Sequence, residues 1–259
     1  MAEVCVLVSI GRHPVSGRAR RADLDARAVE LGLGLAGTLV RVVHAGDPAE
    51  PVLRDYLGMG VAALTVLPLG PDDDPLPSLV AYMRAHPVDI VLAGQCAEAG
   101  EGSGLVPYLL AEALGRPLVA GAAGLELDGS RLRALQALPG GRRRALSAAL
   151  PVVVTVGAGA PEPRAVAYAR ARRGRIVIGP SVASPDEARR SWHVAPARRR
   201  PKRLKAVVGG AEERLAAATR MATGTGRTLV NPDPAAAAQV IWDYLVAEGI
   251  VADALGATS

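Results

Sequence analysis

The sequence predicts an α/β protein built around a parallel β-sheet, and three observations support this class. Short apolar runs alternate with helix-like segments from residue 4 to residue 114, the pattern of repeated strand–helix–strand units. Val4–Ile10 is an apolar run with β-branched residues, which is typical of a strand buried on both faces. Of the 259 residues 50% are hydrophobic, which is enough for one sizeable core.

The first half of the chain contains four predicted strands and four predicted helices. The strands are Val4–Ile10, Leu39–Val43, Ala62–Leu67 and Asp89–Ala93. The helices are Asp23–Ala36, a segment capped by Asp47 with Pro48 at its first position and ending near Gly58, then Leu76–Ala85 and Leu105–Leu114. Parallel strands need a crossover between them, and these helices supply it.

The pattern changes after Gly115. Short segments separated by Asp128-Gly129 and by Pro139-Gly140-Gly141 predict an antiparallel hairpin insertion near residues 123–147. Val152–Val156 is the last predicted core strand. Two helices, Ala211–Met221 and Pro234–Glu248, are predicted near the end of the chain, the second capped by Asp233. The pattern therefore divides the chain into an α/β domain with a hairpin insertion over 1–160 and a basic loop with a C-terminal arm over 161–259.

The charge distribution is uneven. Between Arg164 and Lys205 there are thirteen basic residues and two acidic ones, a local net charge of +11, whereas the whole chain carries +5. Apolar runs extend to about 8 residues, well short of the roughly 20 that cross a bilayer, so no membrane insertion is expected. Cys5 and Cys96 are far apart and form no paired motif, which favours a reducing, cytoplasmic location.

No familiar catalytic pattern is present in the sequence. The four histidines, His13, His44, His86 and His193, have no metal-ligand spacing, so we expect no metal site. A nucleophile elbow, a Walker loop and a dinucleotide fingerprint are all missing from the expected strand–turn–helix positions. These features favour a binding subunit without catalytic residues of its own.

The loop Gly94–Gly104 is the sharpest local feature, with the sequence GQCAEAGEGSG. It follows a predicted buried strand and precedes a helix, so it lies at the carboxyl end of the sheet, where open α/β sheets bind ligands. Its glycines allow a close backbone approach to an anion, and the helix that follows offers free N–H groups. A merely flexible glycine loop is the competing interpretation.

Several segments, in the correct order along nearly the whole chain, resemble the β-subunits of electron transfer flavoproteins. The opening MAEVCVLVSIGR is similar to their first strand, and Asp47–Ala62 is similar to their helix ending in an "ALAMGAD"-type turn. Leu150–Val156 followed by Pro161–Arg164 resembles their "LPAVVTV…NEPR" segment. The strongest similarity is that of Asp89–Pro117 to the pattern DLVLLGKQAIDGDTGQVGPMLAELLGWP.

This resemblance implies a Rossmann-like domain of the adenine nucleotide hydrolase-like type, paired with an α-subunit. The α-subunit would make most of the contacts to the FAD, which shuttles electrons from a client dehydrogenase. The β-subunit would itself hold AMP, a second FAD or no nucleotide. Carried over to this sequence, the cofactor-binding positions are Ser9, Asp23, Leu24, Asp25, His44, Gly94, Gly100, Glu101, Gly102, Ser103, Gly104 and Leu105.

The resemblance also implies a client-binding loop after the last core strand. Here that loop is shortened, and Tyr168 is its one large apolar side chain. An aromatic anchor ringed by arginine suits a client surface with an apolar pocket and an acidic rim. The expected partner-binding residues are Glu162, Arg164, Tyr168, Arg170, Arg172 and Arg173.

Two other functions compete with this interpretation. The arginine-rich stretch from Arg164 to Lys205 could neutralise nucleic-acid phosphates, although only Tyr168 and Trp192 are interleaved as aromatic residues. A nucleotide-binding enzyme of the same fold would need an SGG-type pyrophosphate loop after the first strand, where this chain has Ser9-Ile10-Gly11-Arg12. We therefore expect no nucleic-acid partner.

Overall fold

The structure is a computed structural model that describes residues 2–100, 102–193, 195, 210–219 and 229–247. Its contacts divide the chain into two units, Met1–His193 and Val194–Ser259. The first unit holds the sheet and all the positions discussed below except the two C-terminal helices.

One nine-stranded sheet dominates the first unit, in the order β11-β5-β4-β1-β6-β10-β7-β8-β9. All neighbouring pairs from β11 to β7 are parallel, whereas β7, β8 and β9 pair antiparallel. The predicted fold class, a Rossmann-like parallel sheet with antiparallel strands, is confirmed. The sheet strands are β1 (Ala2–Val8), β4 (Thr38–Gly46), β5 (Ala63–Pro68), β6 (Ile90–Gly94), β7 (Leu118–Asp128), β8 (Arg131–Ala137), β9 (Arg143–Ala149), β10 (Val152–Val156) and β11 (Arg175–Ile178).

Helices cover both faces of the sheet. Successive residues of β1 point to opposite sides, so Val4 and Val6 belong to the core on one face while Cys5 and Leu7 belong to the core on the other. The central strands are buried on both faces, which explains their continuous apolar sequences. The helices of this unit are α1 (Asp23–Gly34), α2 (Leu53–Gly58), α3 (Pro75–Ala85), α4 (Val106–Leu114), α5 (Tyr168–Arg173) and α6 (Glu187–Arg190).

The prediction of a helix starting at Asp47 was wrong. The helix begins at Leu53, and the Asp47 carboxylate instead accepts a hydrogen bond from Ala49 N, which closes a turn. Pro51 explains the late start, because proline disfavours a helical conformation in the residue before it. In contrast, α3 begins as proline at a first helical position predicts, with Asp74 as the cap that accepts from Leu76 N.

The antiparallel segment joins the main sheet instead of standing apart from it. The first half of β7 pairs with β10 in parallel, and after an irregularity between Ala122 and Gly124 the strand continues into the antiparallel ribbon. The predicted insertion near residues 123–147 missed this first half. The first half of β7 is rich in glycine and alanine, which are less common in strands than β-branched residues, so the sequence did not indicate a strand there.

Five short elements were not predicted. Strands β2 (Ile10–Arg12) and β3 (Ala19–Arg21) form a separate hairpin, and β11 adds a parallel edge to β5. Helices α5 and α6 are the other two. All are at most six residues long and largely exposed, so they lack the apolar periodicity by which sequence patterns reveal elements.

The second unit contains α7 (Ala211–Thr219) and α8 (Pro234–Ala247), and both helices begin at the predicted residue. The Asp233 carboxylate accepts from Ala235 N and Ala236 N, as a cap should. The predicted ends at Met221 and Glu248 lie outside the described residues. Among the helices that the structure describes, none is long and apolar enough to cross a bilayer.

Candidate functional site

The carboxyl ends of β1 and β6 are tied together by Asp25, which lies in the first turn of α1. Its Oδ2 accepts from both the backbone N (2.7 Å) and the Oγ (2.6 Å) of Ser9, and its Oδ1 accepts from Gly94 N (3.0 Å). The structure therefore brings together three residues that the sequence analysis placed at a nucleotide site. The carboxylate thereby satisfies three donors at the ends of the two strands.

Burial dominates the electrostatics of this carboxylate. Loss of solvent raises the pKa of Asp25 to about 6, although the hydrogen bonds from Ser9 and Gly94 act in the opposite direction. The nearby charge of Glu98 raises the same pKa slightly. At neutral pH the site thus contains a largely ionised but poorly solvated carboxylate.

Tyr56 of α2 adds a second connection at the end of β1. This fully buried side chain donates from its hydroxyl to Ser9 O (2.8 Å) and accepts from Ala22 N (2.9 Å). Burial raises the pKa of Tyr56 well above its ordinary value, so the hydroxyl keeps the proton that the first of these bonds needs. The end of β1, the start of α1 and helix α2 are thereby fixed to one another.

Removing this hydroxyl should destabilise the protein without changing its shape. In Tyr56→Phe, Ser9 O and Ala22 N lose their partner in a buried place, and an unsatisfied buried group costs about 1–3 kcal/mol. We expect a loss of this size in urea unfolding. The control is Tyr82→Phe, since the Tyr82 ring stacks on His86 at 4.4 Å and keeps that contact without its hydroxyl. Equal stability of the two variants would contradict the assignment.

His44, at the end of β4, is turned into the protein. Its Nδ1 lies 2.8 Å from Val8 O, and burial lowers the pKa of the imidazole, so the neutral ring is the donor in this contact. Gly46 leaves room for the ring, because a Cβ there would lie 2.6 Å from His44 Nε2. His44 fastens β4 to β1 beside Ser9, and a contact between His44 and a nucleotide stays a prediction.

The loop after β6 combines a closed base with an open tip. At Gly104 (φ +75°) an added Cβ would collide with Gln95 O, so the base is packed against its own backbone. At Gly102 (φ +65°) a Cβ would meet only Ala97 O at 3.5 Å, and Gly100 has nothing within 4 Å. Ser103 Oγ accepts from Leu105 N (3.2 Å), one residue before α4 begins. The predicted site residue Glu101 lies outside the described residues.

Glu98 is a member of this loop that the sequence analysis did not single out. Its Oε1 accepts from Asp23 N (2.8 Å) at the start of α1, and its Oε2 pairs with the Arg20 guanidinium at 3.0 Å. Gly11 permits this approach, because a Cβ there would lie 2.5 Å from Glu98 Oε2. The loop after β6 is therefore held to the β2–β3 hairpin and to α1. Leu24, in the same turn of α1, packs beside Gly94.

The expected partner-binding residues divide into two groups. Arg164 is committed to α1, where its Nε and NH2 donate to the Glu30 carboxylate at 2.7 and 2.8 Å. This pairing lowers the pKa of Glu30 and raises the pKa of Arg164. Glu162, two residues earlier, is exposed. Arg164 thus anchors the base of the loop.

The second group lies on α5, which packs on α2. Ala167 N donates to Gly58 O (3.0 Å), and Arg54 NH1 donates to Ala171 O (3.2 Å). Tyr168 remains 73% exposed, with the Arg172 guanidinium 5.9 Å from its ring centroid. Arg170 and Arg173 border a shallow depression beside Leu57 and Gly60. Helix α5 therefore presents one aromatic ring among arginines.

The structure gathers the predicted nucleotide positions that it describes at the ends of β1, β4 and β6, apart from the predicted partner positions that follow β10. In the part of the chain that the structure describes, no group of three histidine, cysteine or acidic side chains is arranged to hold a metal ion. Three of the residues that hold the site together, Tyr56, Glu98 and Glu30, were missed by sequence reasoning. The spacing of Asp23, Arg27 and Glu30 along one face of α1 is the signal that could have found the last of them.

Comparisons with known proteins agree with each other. Residues 12–180 match the family described as the electron transfer flavoprotein domain. Over 255 residues the chain is 47% identical to a protein of Chromohalobacter salexigens named electron transfer flavoprotein subunit beta, and the alignment covers 96% of each chain. The family match spans both loops described above.

Proposed function

Because the chain belongs to the electron transfer flavoprotein family, we propose that it is the β-subunit of a flavin-bearing heterodimer. The heterodimer carries electrons from a dedicated dehydrogenase to a downstream acceptor. The observation that carries this proposal is the 47% identity over nearly the whole length of both chains. Similarity of that extent includes the strand ends, the loop after β6 and the loop after β10.

The chain's own residues suit a binding role. At the ends of β1 and β6, the carboxylate of Asp25 and the hydroxyl of Tyr56 are engaged in hydrogen bonds to backbone groups. Buried groups used in this way hold strands in place and leave no poised acid, base or nucleophile there. We therefore assign electron transfer to the flavin and a structural and docking role to this subunit.

The loop after β6 fits a nucleotide. Gly100, Gly102 and Ser103 are exposed, and the open space around both glycines allows a phosphate to approach the backbone. The start of α4 lies directly behind them. An AMP or a second FAD would be held here by backbone N–H groups, while the electron-carrying FAD is held mainly by the α-subunit.

The basic charge of the segment after β10 suits a protein partner better than nucleic acid. Arg164 and Arg190 pair with Glu30 and Glu187, and the Arg189 guanidinium donates to Pro71 O. Arginines that are engaged in this way release few counterions on binding phosphates. A cytoplasmic location, consistent with the free cysteines Cys5 and Cys96, belongs to the same proposal.

Co-expression with the α-subunit from the same genome tests the function directly. The expected result is a stable 1:1 heterodimer that is yellow from bound FAD, whereas the lone chain aggregates because its partner surface is bare. Arg41→Gln, a variant remote from both loops, serves as a control for heterodimer yield. A lone chain that is monodisperse and never pairs with the α-subunit would overturn the proposal.

The exposed ring on α5 provides a separate test of client docking. Tyr168→Ala should slow reduction of the heterodimer flavin by its dehydrogenase about tenfold, since an aromatic anchor contributes more than 1 kcal/mol. Heterodimer yield and FAD content should not change. Tyr108→Ala is the matched control, because Tyr108 is an exposed tyrosine on α4. Loss of the heterodimer in Tyr168→Ala would show that α5 packs against the α-subunit instead.

A further inference from the structure

Charged side chains of β3 and α1 connect the loop after β6 to the loop after β10. We call this set the clasp; it consists of Arg20 and Arg21 on β3 and Asp23, Arg27 and Glu30 on α1. Every member contacts one of the two loops or a neighbour within the clasp. The two loops are far apart in the sequence and meet at their bases, where Gln95 N donates to Val156 O (2.9 Å). The clasp adds side-chain contacts between segments further along each loop.

Two successive residues of β3 each contact a different loop. Arg20 pairs with Glu98 of the loop after β6, while Arg21 NH1 donates to Arg164 O in the loop after β10 (3.0 Å). Successive side chains of a strand point to opposite sides, which is why neighbours in sequence reach different loops. The hairpin pairs Gly11 with Arg20 and Ile10 with Arg21, so the position of both arginines follows the end of β1.

Residues along one face of helix α1 also contact both loops. Asp23 N donates to Glu98, and the Asp23 carboxylate pairs with Arg27 four residues later at 2.9 Å. Arg27 NH1 in turn donates to Ala160 O (2.5 Å), and Glu30 binds Arg164. Positions i, i+4 and i+7 share a helix face, so the residues form a row from one loop to the other.

The helix that carries this row is rigid. Ala26, Ala28 and Val29 are fully buried against the sheet, and Asp25 fixes the first turn to Ser9 and Gly94. A displacement of Glu98 therefore changes the partners of Arg20 and of Asp23 N rather than bending α1. The segment Ala160–Arg164 makes four hydrogen bonds to the same helix, through Arg27 and Glu30.

We propose that the clasp couples nucleotide occupancy of the loop after β6 to the order of the client-binding loop after β10. The inference rests on the proposed nucleotide site. A nucleotide held at Gly100 and residues 102–105 immobilises the loop that carries Glu98, which fixes Arg20 and, through β3, Arg21. Ala160–Arg164 and the base of α5 then have fewer conformations to lose when the client docks, and the two binding events favour each other.

Hydrogen exchange on the purified heterodimer tests the coupling. The heterodimer is stripped of nucleotide, and exchange is followed in peptides that cover residues 160–174, with and without saturating AMP. We expect AMP to slow exchange there roughly fivefold, at the low end of known couplings. In Glu30→Gln, AMP should still bind, but the slowing should disappear. Glu98→Gln breaks the connection at the other end and should have the same effect.

Arg41→Gln is the matched control. It breaks the Glu3–Arg41 ion pair, which is as exposed as the Arg164–Glu30 pair but lies at the amino ends of β1 and β4. This variant should keep the full effect of AMP. If AMP binds the parent heterodimer without slowing exchange in 160–174, the coupling is overturned and the nucleotide site stands. If neither AMP nor FAD binds this subunit, the nucleotide site and the coupling are both overturned.

Discussion

Replacing Asp25 by alanine should lower the free energy of unfolding of the heterodimer by about 3 kcal/mol, because three buried donors then lose a charged acceptor. These donors are the N and Oγ of Ser9 and the N of Gly94. They sit at the ends of the two central strands, so nucleotide content should fall as well. Urea unfolding measures the first effect, and nucleotide released by heat measures the second.

Asp23→Ala is the matched control, since Asp23 lies two residues earlier in the same turn. Its carboxylate, whose side chain is 44% exposed, pairs with Arg27 four residues later, and such helix pairs contribute about 0.3–0.5 kcal/mol. The two variants should therefore differ severalfold in their loss of stability. Equal losses would mean that the contacts of Asp25 contribute no more than a surface ion pair.

The pH dependence of stability provides an independent measure of Asp25. Its folded-state pKa of about 6 lies above the value of about 3.9 for an unfolded chain, so the folded state binds the proton more tightly. This group therefore adds stability as the pH falls from about 6 to about 4, by about 3 kcal/mol in all. Compared with Asp25→Asn, the parent should gain about 2 kcal/mol of this amount between pH 7 and pH 4. A constant difference across that range would contradict the raised pKa.

Replacing Gly102 by valine should lower the nucleotide content of the purified heterodimer at least tenfold. The protein itself leaves space for the new side chain, since a Cβ there meets only Ala97 O at 3.5 Å. The valine instead occupies the space through which a phosphate would reach the backbone. A tenfold change corresponds to about 1.4 kcal/mol, less than the loss of one hydrogen bond to a charged group.

The left-handed backbone of Gly102 (φ +65°) strains any side chain by about 1–2 kcal/mol, so a strain control is essential. Gly129 provides it, because it has φ +58° in the turn after β7 and nothing lies within 4 Å of an added Cβ. Gly129→Val should be destabilised as much as Gly102→Val but keep its nucleotide. Similar nucleotide content in both variants would remove the loop after β6 from the site.

Features that depend on neighbouring residues were predictable from the sequence. Continuous apolar runs identified the buried strands, of which Val152–Val156 has the predicted bounds. Asp233 caps the helix that starts at Pro234, as predicted, and its carboxylate accepts from the backbone N–H two residues away. The position of the glycine loop at a strand end followed from the alternation of strands and helices, because that alternation forces a parallel sheet.

Family membership was predictable for a related reason. The segments that resemble electron transfer flavoprotein β-subunits occur in the correct order, and order along the chain needs no structure to be recognised. The match of residues 12–180 to the family confirms this prediction. The helix predicted at Asp47 failed because a local rule, proline at the first position, competed with a second local rule at Pro51.

Only the tertiary structure decided how the site is held together. Asp25 meets Gly94 across 69 positions, Glu98 meets Arg20 across 78, and Arg164 meets Glu30 across 134. No periodicity links such residues, since each pair forms when separate strands and helices pack. The sequence by itself determined the protein's family, the parallel core of the sheet and the glycine loop at its carboxyl edge. The packing of α1 against that edge decided which charged groups close this loop and which anchor the segment after β10.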